Sequence, residues 1–258
     1  MQPEHDWTGD SAGREDRRNT SLKETAKAFA QLTAGLHETT PGSTLKAVLD
    51  RGSAQIVGAR WASVTLLRRG RFSTPVASDE TAVRIDDLQY EVGSGPCVDA
   101  VLEDTHFVTG DIAYEPRWQP LGARLQEQFG LHSMLAYRLH LLNEDEAIAG
   151  LNFSSDRPDA FSEEDVDRGM LFATHCALLV TATLAETRAQ NLVKALRSNR
   201  QIGVAMGVLM ARHHLTADQA FDTLRMASQN TNRRMAEIAL DVAETGEMPD
   251  RVINHGRG

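Results

Sequence analysis

The sequence predicts an α+β protein: an antiparallel sheet flanked by helices, then a long helix and a small C-terminal three-helix bundle. Three observations carry this. Residues 61–77 and 133–154 have the alternating apolar texture of strands. From Glu163 to Leu196 a helical pattern runs without proline and with one glycine, Gly169. Beyond it lie three short periodic segments with start and stop signals of their own.

From about Thr20 to His37, Leu22, Ala26, Phe29, Ala30 and Leu36 recur at helical spacing. Pro41-Gly42 breaks the pattern, and Thr44 to Val57 reads as a second helix. Ala62, Val64 and Leu66 alternate into a tight turn at Arg69-Gly70, and Phe72 to Ala77 returns as an antiparallel neighbour. In VGSGPCVDAVLEDTHFVTGDI a glycine-rich turn leads into Pro96, which opens a short helix, Cys97 to Leu102, where its missing N–H does no harm. His106 to Thr109 is a short strand, and Trp118 to Phe129 an amphipathic helix. Ser133 to Leu142 and Ala147 to Ser154 are strands around the turn Asn143–Glu146.

Ser162-Glu-Glu-Asp165 then caps the long helix. Val166, Met170, Ala173, Ala177, Val180 and Leu184 follow the alternating four-three spacing of a heptad seam, which Leu192 and Leu196 resume. This predicts a coiled-coil-like connector and a homodimer formed through it. The alternative is a helix packed only on its own domain. The bundle follows: a helix over about 200–212, a second from the capping box Thr216–Gln219 that buries Ala220, Phe221, Leu224 and Ala227, and a third from near Asn232. Gly246 and Pro249 end it. The expected divisions are a disordered tail 1–19, an α+β domain 20–160, a connector helix 161–197, the bundle 198–246 and a tail 247–258.

With 41% hydrophobic and 24% charged residues, the 258-residue chain has a globular composition. Uninterrupted apolar runs reach about ten residues, against ~20 for a bilayer span. No membrane partner is therefore expected. The polar, acidic start lacks the apolar core of a secretory signal. Two cysteines, Cys97 and Cys176, without CxxC spacing, suggest no zinc or other metal site and fit a reducing, cytoplasmic setting.

The charge is unevenly divided. Residues 1–187 hold 17 Lys/Arg against 29 Asp/Glu, whereas 188–258 hold 10 against 7. Within 188–234 eight basic residues face only Asp218 and Asp222, so an acidic chain carries a local basic surface. The same region contains RQIGVAMGVLMAR, where Gly203 and Gly207 sit inside a helix at a cost of roughly 1 kcal/mol each relative to alanine. Missing side chains there would let another backbone approach, either a neighbouring helix or a partner chain.

The stretch IGVAMGVLMARHHLTADQAFDTLRMASQNTNRRMAEIALDV resembles the ANTAR family of RNA-binding transcription antiterminators, over residues 190–245. Many members carry lysine where this chain has Met206. Upstream, Gly93-Ser-Gly-Pro-Cys-Val-Asp-Ala100 and VTGDIAYEPRWQPL resemble the GAF domains coupled to ANTAR modules in actinobacteria, over about 20–185. The resemblance implies binding to hairpin RNA in a leader transcript, by dimers or tandem units, with the GAF domain as the controlling sensor.

The residues expected to contact RNA are Arg200, Arg212, Arg225, Ser228, Gln229, Arg233 and Arg234. Charge and stacking are what RNA loops offer, and free N–H groups at the third helix's start favour phosphate. For each arginine alone, an ordinary solvated charge or intrahelical pair is the alternative. For a small-molecule ligand in the GAF domain the candidates are Cys97, His106, Trp118, His132 and Tyr137. A histidine could ligate haem and an exposed, low-pKa Cys97 could sense oxidation, against packing and ordinary hydrogen bonds for each. No cofactor is assigned. With no GxSxG, HExxH, P-loop or Cys-His pairing, no catalytic residue is expected and the protein reads as a non-enzyme. Rival readings are a DNA-binding helix-turn-helix regulator and a protein-interaction module without nucleic acid.

Overall fold

The computed structural model describes residues 41–103, 105–142 and 147–247. The tail 1–19, the helix expected at 20–37, the turn 143–146 and residues 248–258 lie outside the described residues. The chain divides into two compact units, one up to Leu184 and one from Ala185.

In the first unit helix α1 (Pro41–Ser53) starts at the proline expected to break the pattern; at a first helical turn proline costs no hydrogen bond. Strands β1 (Trp61–Arg68) and β2 (Arg71–Ala77) pair antiparallel around Arg69 and Gly70, which both have positive φ (52° and 73°), as a tight hairpin turn requires. Helix α2 (Glu80–Val92) has no counterpart in the sequence reading; Asp79 caps it, its side chain accepting from the Ala82 N–H at 3.0 Å. Then come α3 (Pro96–Glu103), β3 (His106–Thr109), two 3-10 turns (Ile112–Tyr114, Pro116–Trp118), α4 (Leu121–Phe129), β4 (Ser133–Leu139) and β5 (Ile148–Ser155). The sheet order is β2-β1-β5-β4-β3, with every neighbour antiparallel.

Alternation along these strands makes two unlike faces. Ala62 and Val64, Leu135, Tyr137 and Leu139, and Ala149, Leu151 and Phe153 point to an apolar side that buries Leu45, Val48 and Leu49 of α1. Between them, Ser63, Thr65 and Asn152 point to the other side and are buried as well. A second core joins Ala82, Ile85 and Leu88 of α2 to Trp61, Ile112, Trp118, Leu125 and Met134.

Helix α5 (Glu163–His213) is one helix where a connector and a separate first bundle helix were expected. Phe172, Ala173, Cys176, Ala177 and Val180 are buried in the apolar core beneath the sheet, with Val166 and Leu184 packed against it. The Val166–Leu184 part of the expected seam is thus spent inside its own unit, except Met170, which is 47% exposed, whereas Leu192 and Leu196, expected to resume it, are each 60% exposed. The sheet supplies the apolar surface that the periodicity left open to either reading. An 18-residue window of α5 has mean hydropathy 1.4, enough by length and composition to cross a bilayer, although uninterrupted apolar runs suggested otherwise. One third of that window is buried.

The second unit comprises the rest of α5, α6 (Ala217–Thr231) and α7 (Met235–Thr245). Ala205, Leu209, Ala220, Leu224, Ala227, Ile238, Ala239 and Val242 form its core, all fully buried. The capping box at Thr216 is present in both directions: Gln219 N–H donates to Thr216 Oγ1 at 3.3 Å, and Thr216 N–H to Gln219 Oε1 at 2.9 Å. Phe221, expected in this core, is 41% exposed. Small alanines bring the helices close, and a ring one position further round α6 has no room between them.

Candidate functional site

In the second unit the predicted RNA contacts sort by what already holds them. Arg212 donates from Nη1 to the Gly246 carbonyl at 2.9 Å, satisfying a backbone acceptor at the end of α7. Ser228 Oγ donates to the Arg233 carbonyl at 2.6 Å and closes the turn between α6 and α7. The Arg233 guanidinium is held by Asp241 at 2.8 Å and Glu237 at 3.9 Å. Arg225 pairs with Asp222 at 2.7 Å, both about half exposed. A surface pair of this kind is worth about 0–1 kcal/mol, so a phosphate can displace the aspartate.

The side chains of Arg200, Gln229 and Arg234 are exposed and form no hydrogen bond or ion pair among the described residues. Arg234 occupies the N-cap position of α7, whose first turn has no side-chain cap. The helix start and the exposed Arg234 guanidinium together present positive charge, which suits phosphate. A Cβ built on Gly203 or Gly207 would meet nothing within 4 Å. Neither glycine admits a close helix neighbour among the described residues.

The five candidates in the first unit do not converge. Cys97 is fully buried; desolvation and the neighbouring Asp86 carboxyl push its thiol well above the usual range, the opposite of a reactive thiolate. Trp118 is core, its indole N–H donating to Asp99 at 2.7 Å. His132 Nδ1 lies 3.0 Å from Asp111. Only His106 and Tyr137 stand together, stacked at 6.0 Å beside an open groove of 460 Å³ that Leu142, Met170 and Leu178 also line. No group of three or more metal-ligating side chains occurs among the described residues.

What the sequence reading missed is a polar interior between the sheet and α2. Thr74 Oγ1 donates to Asp86 Oδ2 at 2.9 Å and lies 2.8 Å from the Tyr90 hydroxyl, which is 3.0 Å from Thr65. Asn152 Nδ2 donates to Ser63 and Thr65, and its buried Oδ1 has no partner among the described residues. Burial raises the Asp86 carboxyl to about 7, against the lowering effect of Ser63 and Thr74. Asp79-Glu-Thr, a cap followed by Ala82, Ile85 and Leu88 at helical spacing, was the available signal for α2.

A family model described as a GAF domain matches residues 38–181, more than half of the chain. The chain belongs to the GAF-domain family. A second model, the ANTAR domain, matches residues 190–242 and so coincides with the basic three-helix unit. Together they support a regulator that joins a GAF sensor domain to an RNA-binding antitermination domain.

No curated protein matches the chain. Solved structures resemble its GAF domain in fold. A free methionine-R-sulfoxide reductase from Thermoplasma acidophilum is 19% identical, with 54% of this chain and 92% of that one covered and a TM-score of 0.43. The corresponding Neisseria meningitidis enzyme, solved with its substrate, is 14% identical (72% and 99% covered, TM-score 0.47). The GAF domain of a Coxiella burnetii phosphoenolpyruvate-protein phosphotransferase is 16% identical (65% and 96% covered, TM-score 0.47).

Proposed function

We propose that this protein is a signal-responsive transcription antitermination regulator: its ANTAR domain binds hairpin RNA in leader transcripts, and its GAF domain controls that binding. The observation that carries the reading is the coincidence of the ANTAR match with a basic three-helix unit in which Arg200 is exposed on α5 and Arg234 stands exposed at the uncapped start of α7. It acts in the cytoplasm as a regulator rather than an enzyme, and the GAF interior around Asp86 and Asn152 is where a small polar ligand would be sensed.

The reading includes a homodimer through α5, along a line that keeps Leu192 and Leu196 of the expected seam but not its Val166–Leu184 part. Leu171 and Leu178 in the first unit, and Ala185, Leu192 and Asn199 in the second, recur every seven residues and are exposed. Ala182, Ala189, Leu196 and Gly203 recur likewise on the adjoining line. Leu178, Leu192 and Leu196 are 56–60% exposed, a line of apolar residues without a partner among the described residues. An asparagine on such a seam favours one register and a two-stranded state.

A binding titration of the full chain with a two-hairpin RNA and a duplex DNA of equal length, at two salt concentrations, tests the reading. RNA binding that weakens with salt is expected. Preference for the duplex DNA, or no binding to either, would overturn it.

A further inference from the structure

We propose that Phe221 is a stacking platform for an unpaired RNA base; this rests on the RNA-binding reading above. Phe221 is the only Phe, Tyr or Trp among residues 185–258. It is 41% exposed and stands outside the buried cluster of the second unit, although its sequence position beside Ala220 and Leu224 suggests core. Leaving two-fifths of Phe221 in water forgoes part of its burial energy in a unit with a small core.

Position on the helix gives the ring its partner. Phe221, Arg225 and Ser228 follow one another at spacings of four and three, so they share a single strip of α6, with Gln229 adjoining. Arg225 offers a charge released from a weak surface pair, and Gln229 a free amide. A flat apolar face, a cation and an amide in one strip are the three contacts an unstacked nucleotide takes: stacking for the base, charge for the phosphate, hydrogen bonds for the base edge. The unit carries eight Lys/Arg against two acids, Asp218 and Asp222, over residues 188–234, a charge that suits a polyanion.

The test compares the full chain with Phe221→Leu, which keeps apolar bulk without a π-face, and Phe221→Tyr, which keeps the face. The probes are an RNA of two stem-loops with randomised unpaired loop nucleotides, and the same stems closed into continuous duplex RNA. The leucine variant is expected to lose roughly 5- to 100-fold in affinity for the looped RNA, with the salt slope unchanged and duplex binding as in the native chain. The tyrosine variant is expected to retain the native affinity. An unchanged Phe221→Leu, an equal loss on duplex RNA, or altered self-association in place of altered RNA affinity would each overturn the stacking role alone. A native chain that binds neither RNA overturns the RNA-binding reading itself, and the stacking role with it.

Discussion

Thr74 Oγ1 donates to Asp86 Oδ2 at 2.9 Å inside the GAF domain, and that carboxyl is buried from water on every side. Tyr90, Cys97 and Asp87 are the titratable groups around it, and none is cationic. Its acid form is therefore favoured by folding, with a midpoint near 7 against 3.8 for an ordinary aspartate. A carboxyl raised on folding stabilises most at low pH, and the benefit fades as pH rises from about 4 to about 7. The linked change is about 4 kcal/mol. Asp86→Asn is expected to flatten this stretch of the stability-pH curve and to leave the protein no less stable at pH 8, as urea unfolding at several pH values will show.

Tyr137 hydroxyl donates to the Val166 carbonyl at 2.6 Å, and its ring lies where a Cβ on Gly169 would be. One side chain thus fixes the first turns of α5 to β4. Tyr137→Phe is expected to cost about 1–2 kcal/mol by losing this hydrogen bond, and Gly169→Ala about 1–3 kcal/mol by overpacking. Chemical denaturation of the first transition measures both.

Among the ANTAR arginines, stability and binding are expected to separate. Arg212→Ala removes a cap on the end of α7 and is expected to lower the stability of the second unit by about 1 kcal/mol. Arg234→Ala leaves unfolding unchanged and reduces the salt slope of RNA binding by roughly 0.7–0.9 for the lost phosphate contact. Thermal melts and salt-dependent titrations of the two variants distinguish them.

Leu192 and Leu196 are each 60% exposed on α5. Converting both to glutamate is expected to turn the dimer into a monomer in sedimentation without moving the GAF-domain melting transition. A charge at Ala177, on the other register, is expected to unfold the GAF domain instead, because that position is buried beneath the sheet.

Much of this architecture was readable in advance, and the reasons differ by element. The hairpin at Arg69-Gly70, the strand His106–Thr109 and the Thr216 capping box depend on a few adjacent residues, so local chemistry determines them. Helix α2 was passed over although Asp79 caps it, because its polar residues Asp86 and Gln89 face inward and blur the apolar stripe. The same inward polarity hid the Asp86 interior. The five first-unit candidates failed as a set because reactive residue types say nothing about convergence: sheet pleat sent Tyr137 to one face, while Trp118 and Cys97 joined layers on the other.

By itself the sequence determined the strands, the acidic-to-basic change along the chain and the ANTAR character of its end, since these reside in composition and short-range spacing. Tertiary structure decided which of two heptad registers on α5 is buried and which stays free, because only the sheet's apolar face selects between them. It decided equally that Phe221 lies outside the bundle core. Helix periodicity narrows a side chain to an edge of α6, and only the close approach of alanine-lined neighbours determines on which side of that edge water begins.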